Sequence, residues 1–279
     1  MRALLFVVIA FLSVSTQAAT TQAESFNVKP FDHSHAAYTD LLQKHVWVYN
    51  EGRRSVVDYA ALQADEPALN AYLQDLADVS VDQYRSWSED QQLAFLINAY
   101  NAFTLELIVD HYESFASGER ESIRDLGGLF YSAWEREVVE LLGKMRTLDW
   151  VEHKTIRVYF DEPRIHAALV CAAMSCPKLR AEAYTASALD TQLDDQMRTF
   201  LSDRSLNGID AQGLYLSRIF DWYEEDFGDL RDYMRQYADV LADDKAEREA
   251  LMGDIRIRYT DYNWNLNSPS NAGLLKEAP

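Results

Sequence analysis

Positive charge is scarce in this chain. Its 279 residues carry 26 Lys and Arg against 45 Asp and Glu, a formal charge of −19. So negative a field argues against nucleic acid and anionic membrane surfaces as partners. Cysteine is scarcer still, and two residues exclude a small fold held together by many disulfides. Only 10 Gly and 6 Pro stand beside 48% hydrophobic residues, which excludes a low-complexity or disordered chain. Glycine-rich phosphate loops, Walker sequences, a G-x-S-x-G elbow and an H-E-x-x-H pair are all missing. No internal repeat or linker interrupts the text, so a single domain is the simplest organisation.

The one long apolar run lies at the N-terminus. Arg2, the stretch Leu4 to Val14 and the small residues ending at Ala18 or Ala23 have the layout of an export signal. The run is too short to span a bilayer, which takes about 20 residues. No cysteine follows it to carry a lipid anchor. The expectation is a signal peptide over residues 1–23 and one globular domain over 24–279. That domain would be periplasmic or secreted, not embedded in a membrane.

Hydrophobic spacing then sets out the elements. Tyr38, Leu41, Leu42, His45 and Val46 recur at helical spacing, and a short hairpin follows through Val46–Tyr49 and Ser55–Val57. Glu66 to Leu76 is amphipathic. Ser88 caps a helix reaching about Tyr112, apolar nearly all round from Leu93 to Leu105, and therefore central and buried. Asn98 and Asn101 lie three apart inside it; such amides need partners, either a loop backbone that they pin or a site that they line. A second hairpin is expected over Trp134–Leu142 and Met145–Thr147, followed by a helix capped by Thr147. A second helix runs from Arg164 to about Ala173, and another from Thr185 to Leu201. Leu214–Leu216 and Ile255–Tyr259 read as strands. The acidic-aromatic run Ile219 to Tyr237 reads as helix with its acids on a solvated face. The fold class is α+β, mainly helical, with a small antiparallel sheet made by the two hairpins and the Ile255 strand.

Groups able to do chemistry concentrate between Thr147 and Tyr184. Asp149, His153 and Arg157 fall at i, i+4 and i+8, one stripe on a regular helix. A carboxylate one turn from an imidazole can set its tautomer and raise its basicity; a plain salt-bridge ladder has the same spacing. His166 and Cys171 are five residues apart, about 140° around a helix, and cannot pair unless it breaks between them. The thiols of Cys171 and Cys176 have three fates: a disulfide closing a small loop, worth about 2 kcal/mol; a nucleophile activated by His153 or His166; or inert burial. A bridge requires the helix to end by about Ala173. All six histidines precede Cys176, so a papain-type order is excluded.

Metal chemistry has little support. His33 and His35 would share one side of a strand. The set His153, His166, Cys171 and Cys176 matches no standard zinc spacing. The tail D-Y-N-W-N-L-N begins like a calcium loop, but Leu266 replaces its glycine and Ala272 its terminal glutamate. No metal or cofactor is expected.

The segments LAFLINAYNAFTL, TLDWVEHKTIR, PRIHAALVCAAMSCP, IFDWYEEDFG and DYNWNLN resemble the domain-of-unknown-function family numbered 547. Family versions read W-I-N-x-Y-N-A, I-E-H-x-I-L-R and R-I-H-F-A-L-x-C-x-x-x-S-C-P. This chain departs from them at Leu96, Val151, Thr155-Ile156 and Ala167. Asn98, Glu152, His153, Arg157, Arg164, His166, Cys171, Ser175 and Cys176 remain in place. The resemblance implies an established domain type without an established reaction, and relatives joined to glutaredoxin-like domains imply thiol chemistry. The functional expectation is a thiol-dependent hydrolase or acyl-transferase site. His153, His166, Asp149, Cys171 and Cys176 would be its catalytic groups. Asn98, Asn101, Glu152, Arg157, Arg164 and Ser175 would bind a small molecule or peptide. The rival is a non-catalytic binding domain stapled by a disulfide.

Overall fold

The computed structural model describes residues 30–274. The expected signal peptide and its cleavage sites lie outside the described residues. From Phe31 onward the chain is one compact unit, a mainly helical α+β domain.

The helix Glu89–Val109 is its axis. Ser88 accepts from the Gln91 N–H while the Gln91 side chain returns to the Ser88 backbone, a capping box that satisfies two otherwise orphaned donors. Every residue from Leu93 to Leu105 is buried, so a helix apolar all round has protein all round. It is the one helix among the described residues long and apolar enough to cross a membrane, and 89% of that window is buried within the protein. Around it pack Ala36–His45, inward through Tyr38, Leu41, Leu42 and His45, and Glu66–Ala77, inward through Leu69, Tyr72, Leu73 and Leu76. These are the faces that the spacing predicts.

A second, smaller core forms farther along the chain. The helix Leu189–Leu201 turns Leu193 toward the first core and Met197, Phe200 and Leu201 toward the second, where they meet Leu214, Leu216, Phe220 and Met234. His166 sits between residues of the two groups: Ala167 belongs to the second and Ala168 to the first.

The sheet differs from expectation. The hairpins Val46–Tyr49 with Arg54–Val57, and Val139–Leu141 with Lys144–Arg146, are separate two-stranded units. The strand Ile257–Tyr259 joins neither. It pairs parallel with Gly213–Leu216, which pairs antiparallel with Gly208–Asp210. Alternation identifies a strand but carries no information about its neighbour. Trp134 lies in a 3-10 turn, Ala133–Glu135, outside the second hairpin.

Two helical expectations also break, both at the site. The helix after Arg164 spans only Ile165–Ala168. Asn101 explains the stop: its side-chain amide donates to the Ala168 carbonyl at 2.9 Å, and its oxygen accepts from the Val170 N–H at 2.9 Å. A buried side chain thus takes the groups that helix continuation would use, and Leu169 goes extended. The run Ile219–Tyr237 divides into Ile219–Trp222, the 3-10 turn Glu224–Phe227 and Leu230–Arg235. The break falls at Gly228, whose φ of 65° favours glycine.

Candidate functional site: a thiol pair in an aromatic cleft

Cys171 and Cys176 lie on the loop that begins where Asn101 ends the helix. Ala172 has a left-handed φ of 56°, and the Cys176 N–H returns to the Ala173 carbonyl at 3.0 Å. This tight return brings the two sulfurs 2.8 Å apart with no covalent bond between them. Of the three fates open to the thiols, the disulfide is not formed here, although the helix does end early enough to permit one.

The tail holds this loop from its other side. Ser175 is buried; its N–H donates to the Asn263 carbonyl, and its Oγ accepts from the Asn263 N–H at 2.8 Å. Met174 donates to the Asn265 carbonyl and Asn267 to the Ala172 carbonyl. Asn267 is anchored by the Tyr59 hydroxyl at 2.7 Å. The period-two asparagines thus belong to an extended clamp. Its product is the placement of Tyr262, whose hydroxyl lies 3.1 Å from Cys171 Sγ.

The thiols are electrostatically unequal. Burial pushes both upward. At Cys171 it dominates, and the hydrogen bond with the neighbouring thiol adds to it, holding that thiol well above its usual value. At Cys176 hydrogen bonds from the Cys171 thiol, the Cys171 N–H at 2.9 Å and Tyr262 outweigh burial and bring it below its usual value. A backbone N–H aimed at one sulfur favours negative charge there. Cys176 is therefore the more acidic of the two thiols and Cys171 the less acidic.

The sulfurs open into a cleft of about 70 Å³. Tyr100, Trp134, Trp222, Tyr223, Tyr262 and Trp264 wall it, with Glu152 and His166 among its polar lining. Trp264 packs against Tyr262 at 4.6 Å, Trp222 at 5.6 Å and Trp134 at 5.9 Å between ring centroids. Glu152 is buried, and the Tyr223 hydroxyl bonds to it.

Neither histidine meets a sulfur. His166 Nε2 lies 2.6 Å from Asp226 Oδ2, and its ring stacks on Tyr223 at 4.0 Å. Burial lowers its basicity against the opposing pull of Asp226, and Nε2 donates to that carboxylate. His153 lies outside the cleft lining. Its Nδ1 is 2.8 Å from Arg157 Nη1, and a guanidinium only donates, so Nδ1 accepts and the proton sits on Nε2. Nε2 stands 3.9 Å from Asp149 and 4.0 Å from Glu152, beyond hydrogen-bond range. The expected stripe thus holds tightly between His153 and Arg157 and loosely at Asp149, which stays within ion-pair reach without a hydrogen bond. The cause is local: Trp150–Ile156 is a π-helix, with the Thr155 hydroxyl returning to the Trp150 carbonyl five residues back. The wider turn loosens the spacing at its N-terminal end. Thr147 does cap this helix, accepting from the Trp150 N–H at 2.9 Å.

Asp226 is the residue the pattern concealed. It takes two bonds from Arg157, at 2.6 and 2.9 Å, and one from His166. The expected solvated face applies to its neighbours Glu224 and Glu225, which are exposed, and not to this carboxylate. Nothing in its local text separates Asp226 from its two adjacent acids, Glu224 and Glu225. Tyr262 and Trp264 were equally hidden in a tail whose asparagine spacing suggested a calcium loop. Asn98 and Asn101 act as pins. Asn98 exchanges bonds of 2.7 and 2.9 Å with the Tyr184 backbone, and Asn101 orders the entry to Cys171. Arg164 lies away from the cleft and is taken up by Glu162 and Asp190. The pair expected on one strand, His33 and His35, occupies a turn, where His33 meets the Trp87 ring and His35 the Tyr72 hydroxyl. Among the described residues no group of three or more His, Cys, Asp or Glu is arranged to hold a metal ion.

Fold and site together define a mainly helical α+β domain with a dithiol at the base of an aromatic cleft. Residues 84–201 match the family model described as a protein of unknown function, DUF547. The match contains the central helix, both histidines and both cysteines, while Asp226, Tyr262 and Trp264 lie beyond it. No curated protein and no solved structure matches the chain.

Proposed function

We propose that the cleft is a thiol-exchange site in which Cys176 is the attacking thiolate and Cys171 resolves the intermediate. The observation that carries this reading is the sulfur pair: each thiol's nearest reactive neighbour is the other, 2.8 Å away. Cys176 attacks one sulfur of a substrate disulfide, forming a mixed disulfide and releasing the other sulfur as a thiolate. Cys171 loses its proton to that leaving thiolate and attacks Cys176 Sγ, expelling the second substrate thiol. The protein gains a Cys171–Cys176 disulfide as the substrate disulfide is reduced by two electrons.

A second reading is supported by the same lowered thiol facing His166 and Glu152 across the cleft: thiol-dependent acyl transfer or hydrolysis, with Cys176 alone as nucleophile. Asp149 and His153 contribute to neither scheme, since no contact joins them to the sulfurs. The rival non-catalytic domain corresponds to a pair that bridges once and does not exchange.

One experiment separates these. The protein is equilibrated across buffers of graded reduced and oxidised glutathione, quenched with an alkylating agent and mass-analysed, alongside Cys171→Ser. Exchange predicts that both thiols disappear in one cooperative step and that Cys171→Ser stops at a mixed glutathione adduct on Cys176. An acyl-transfer site leaves Cys176 able to take an acetyl group from p-nitrophenyl acetate in Cys171→Ser. Two thiols that neither oxidise nor alkylate until the chain unfolds overturn both.

A further inference from the structure

The cleft is too small for the body of its substrate. About 70 Å³ admits the tip of one side chain, a sulfur and its methylene, and not a whole thiol compound such as glutathione. Whatever reaches Cys176 must leave the rest of itself outside, on the rim.

That rim is aromatic and acidic. Trp222 is 45% exposed. Gly127 to Ser132, just ahead of the cleft residue Trp134, presents Leu129 and Phe130 at 88% and 92% exposure. This projection is built. The Gly128 N–H donates to the Tyr131 carbonyl at 2.8 Å, closing a tight turn. A Cβ at Gly128 would lie 2.4 Å from the Tyr131 ring, which packs directly over this glycine. Two large apolar side chains held in water on a short closed turn form an unsatisfied contact surface.

Exposed acids flank each aromatic residue. Glu135 and Glu137 follow Trp134, Glu224 and Glu225 follow Trp222, and Asp261 precedes Tyr262. The nearby cations are largely engaged: Arg124 lies over the Trp264 ring, Arg218 pairs with Asp221, and Arg136 donates to the Leu126 carbonyl. The rim thus repels anions and receives cations on aromatic faces.

We infer that the substrate of the thiol site is a cysteine or disulfide on an exposed polypeptide segment whose neighbouring residues are aromatic and basic. The segment lies across Trp222, Trp264 and the Leu129–Phe130 turn while its sulfur enters the cleft. This inference rests on the thiol-exchange reading above and adds the choice of partner.

Three probes test it against Cys171→Ser, in which reaction stops at the first bond. Two are decapeptides whose single cysteine is activated as a nitrothiobenzoate mixed disulfide, one flanked by Trp and Lys, the other by Ser and Asp. The third is oxidised glutathione. Cys176 forms a disulfide with the peptide sulfur, and the released nitrothiobenzoate reports the rate by its absorbance. The Trp–Lys peptide should react about tenfold faster than the Ser–Asp peptide, the size of one good aromatic contact. Trp222→Ala and Phe130→Ser should each remove most of that difference. Equal rates for the two peptides, glutathione reacting fastest, or indifference to both substitutions overturns the partner assignment with the thiol reading intact. Failure of all three probes on folded protein, with full reaction after unfolding, removes the thiol reading itself.

Discussion

Acid should weaken this fold through His35, and the structure sets the size of the effect. The ring is buried at the start of the helix Ala36–His45, with Nδ1 2.7 Å from the Tyr72 hydroxyl and Phe31 packed edge-on at 5.2 Å. Burial lowers its pKa from 6.5 to about 4, with a small further push from His33 and a weaker opposing pull from Asp32. The unfolded chain therefore takes up a proton near pH 6.5 that the folded chain refuses until about pH 4. Stability is complete above the unfolded value and falls as pH drops through that window. The whole shift is worth about 3 kcal/mol, and about 2 kcal/mol of it is lost by pH 5. Glu106 opposes this. Burial and the nearby Asp110 and Glu66 raise it to about 7, so the folded chain keeps a proton that the unfolded chain releases, and its contribution is lost as pH rises. The parent profile alone is thus ambiguous, and the difference from a variant is decisive. His35→Asn keeps a residue that tolerates the left-handed φ of 49° and removes the titration. Urea unfolding of both proteins between pH 8 and pH 5 should show a penalty of about 1–2 kcal/mol at pH 8, from the lost Tyr72 bond and contacts. That penalty should vanish or reverse at pH 5. A penalty constant to within about 0.5 kcal/mol across the range, the usual spread of such comparisons, would refute the assignment.

Asn98→Ala orphans both backbone groups of Tyr184 that it now satisfies, and should cost about 1–3 kcal/mol in denaturant unfolding. Asp226→Asn leaves the Arg157 guanidinium and His166 without their shared carboxylate, and should cost about 3 kcal/mol; a melting curve like the parent's would show the hub to be unimportant. Tyr262→Phe withdraws a hydroxyl that favours the thiolate, so the midpoint of native Cys176 alkylation against pH should move up, which mass spectrometry of iodoacetamide labelling reads directly. Glu106→Gln should raise stability at pH 8 relative to pH 5 by about 1 kcal/mol, the shift being discounted for partial exposure, as seen by thermal unfolding at the two pH values.

Residue spacing by itself determined the main axis and its packing. An apolar surface right round Leu93 to Leu105 has to be enclosed, because no solvent-facing side exists to place in water. The same reasoning recovers the inward faces of Ala36–His45, Glu66–Ala77 and Leu189–Leu201, and the Ser88 cap. It also singled out the stretch 147–184, because His166, Cys171 and Cys176 are rare side chains placed close together in the chain. Tertiary structure decided how those groups meet. Asn101 reaches across from another helix to end the one before Cys171, and no local pattern contains that competition. A π-turn opens the spacing between Asp149 and His153. Asp226, Tyr262 and Trp264 arrive from 50 to 90 residues away, carried by a turn and a tail whose own text reads as solvated acids and asparagines. Local periodicity encodes which face is buried. What lies opposite that face, and so which thiol is the more acidic, depends on contacts that only the closed chain makes.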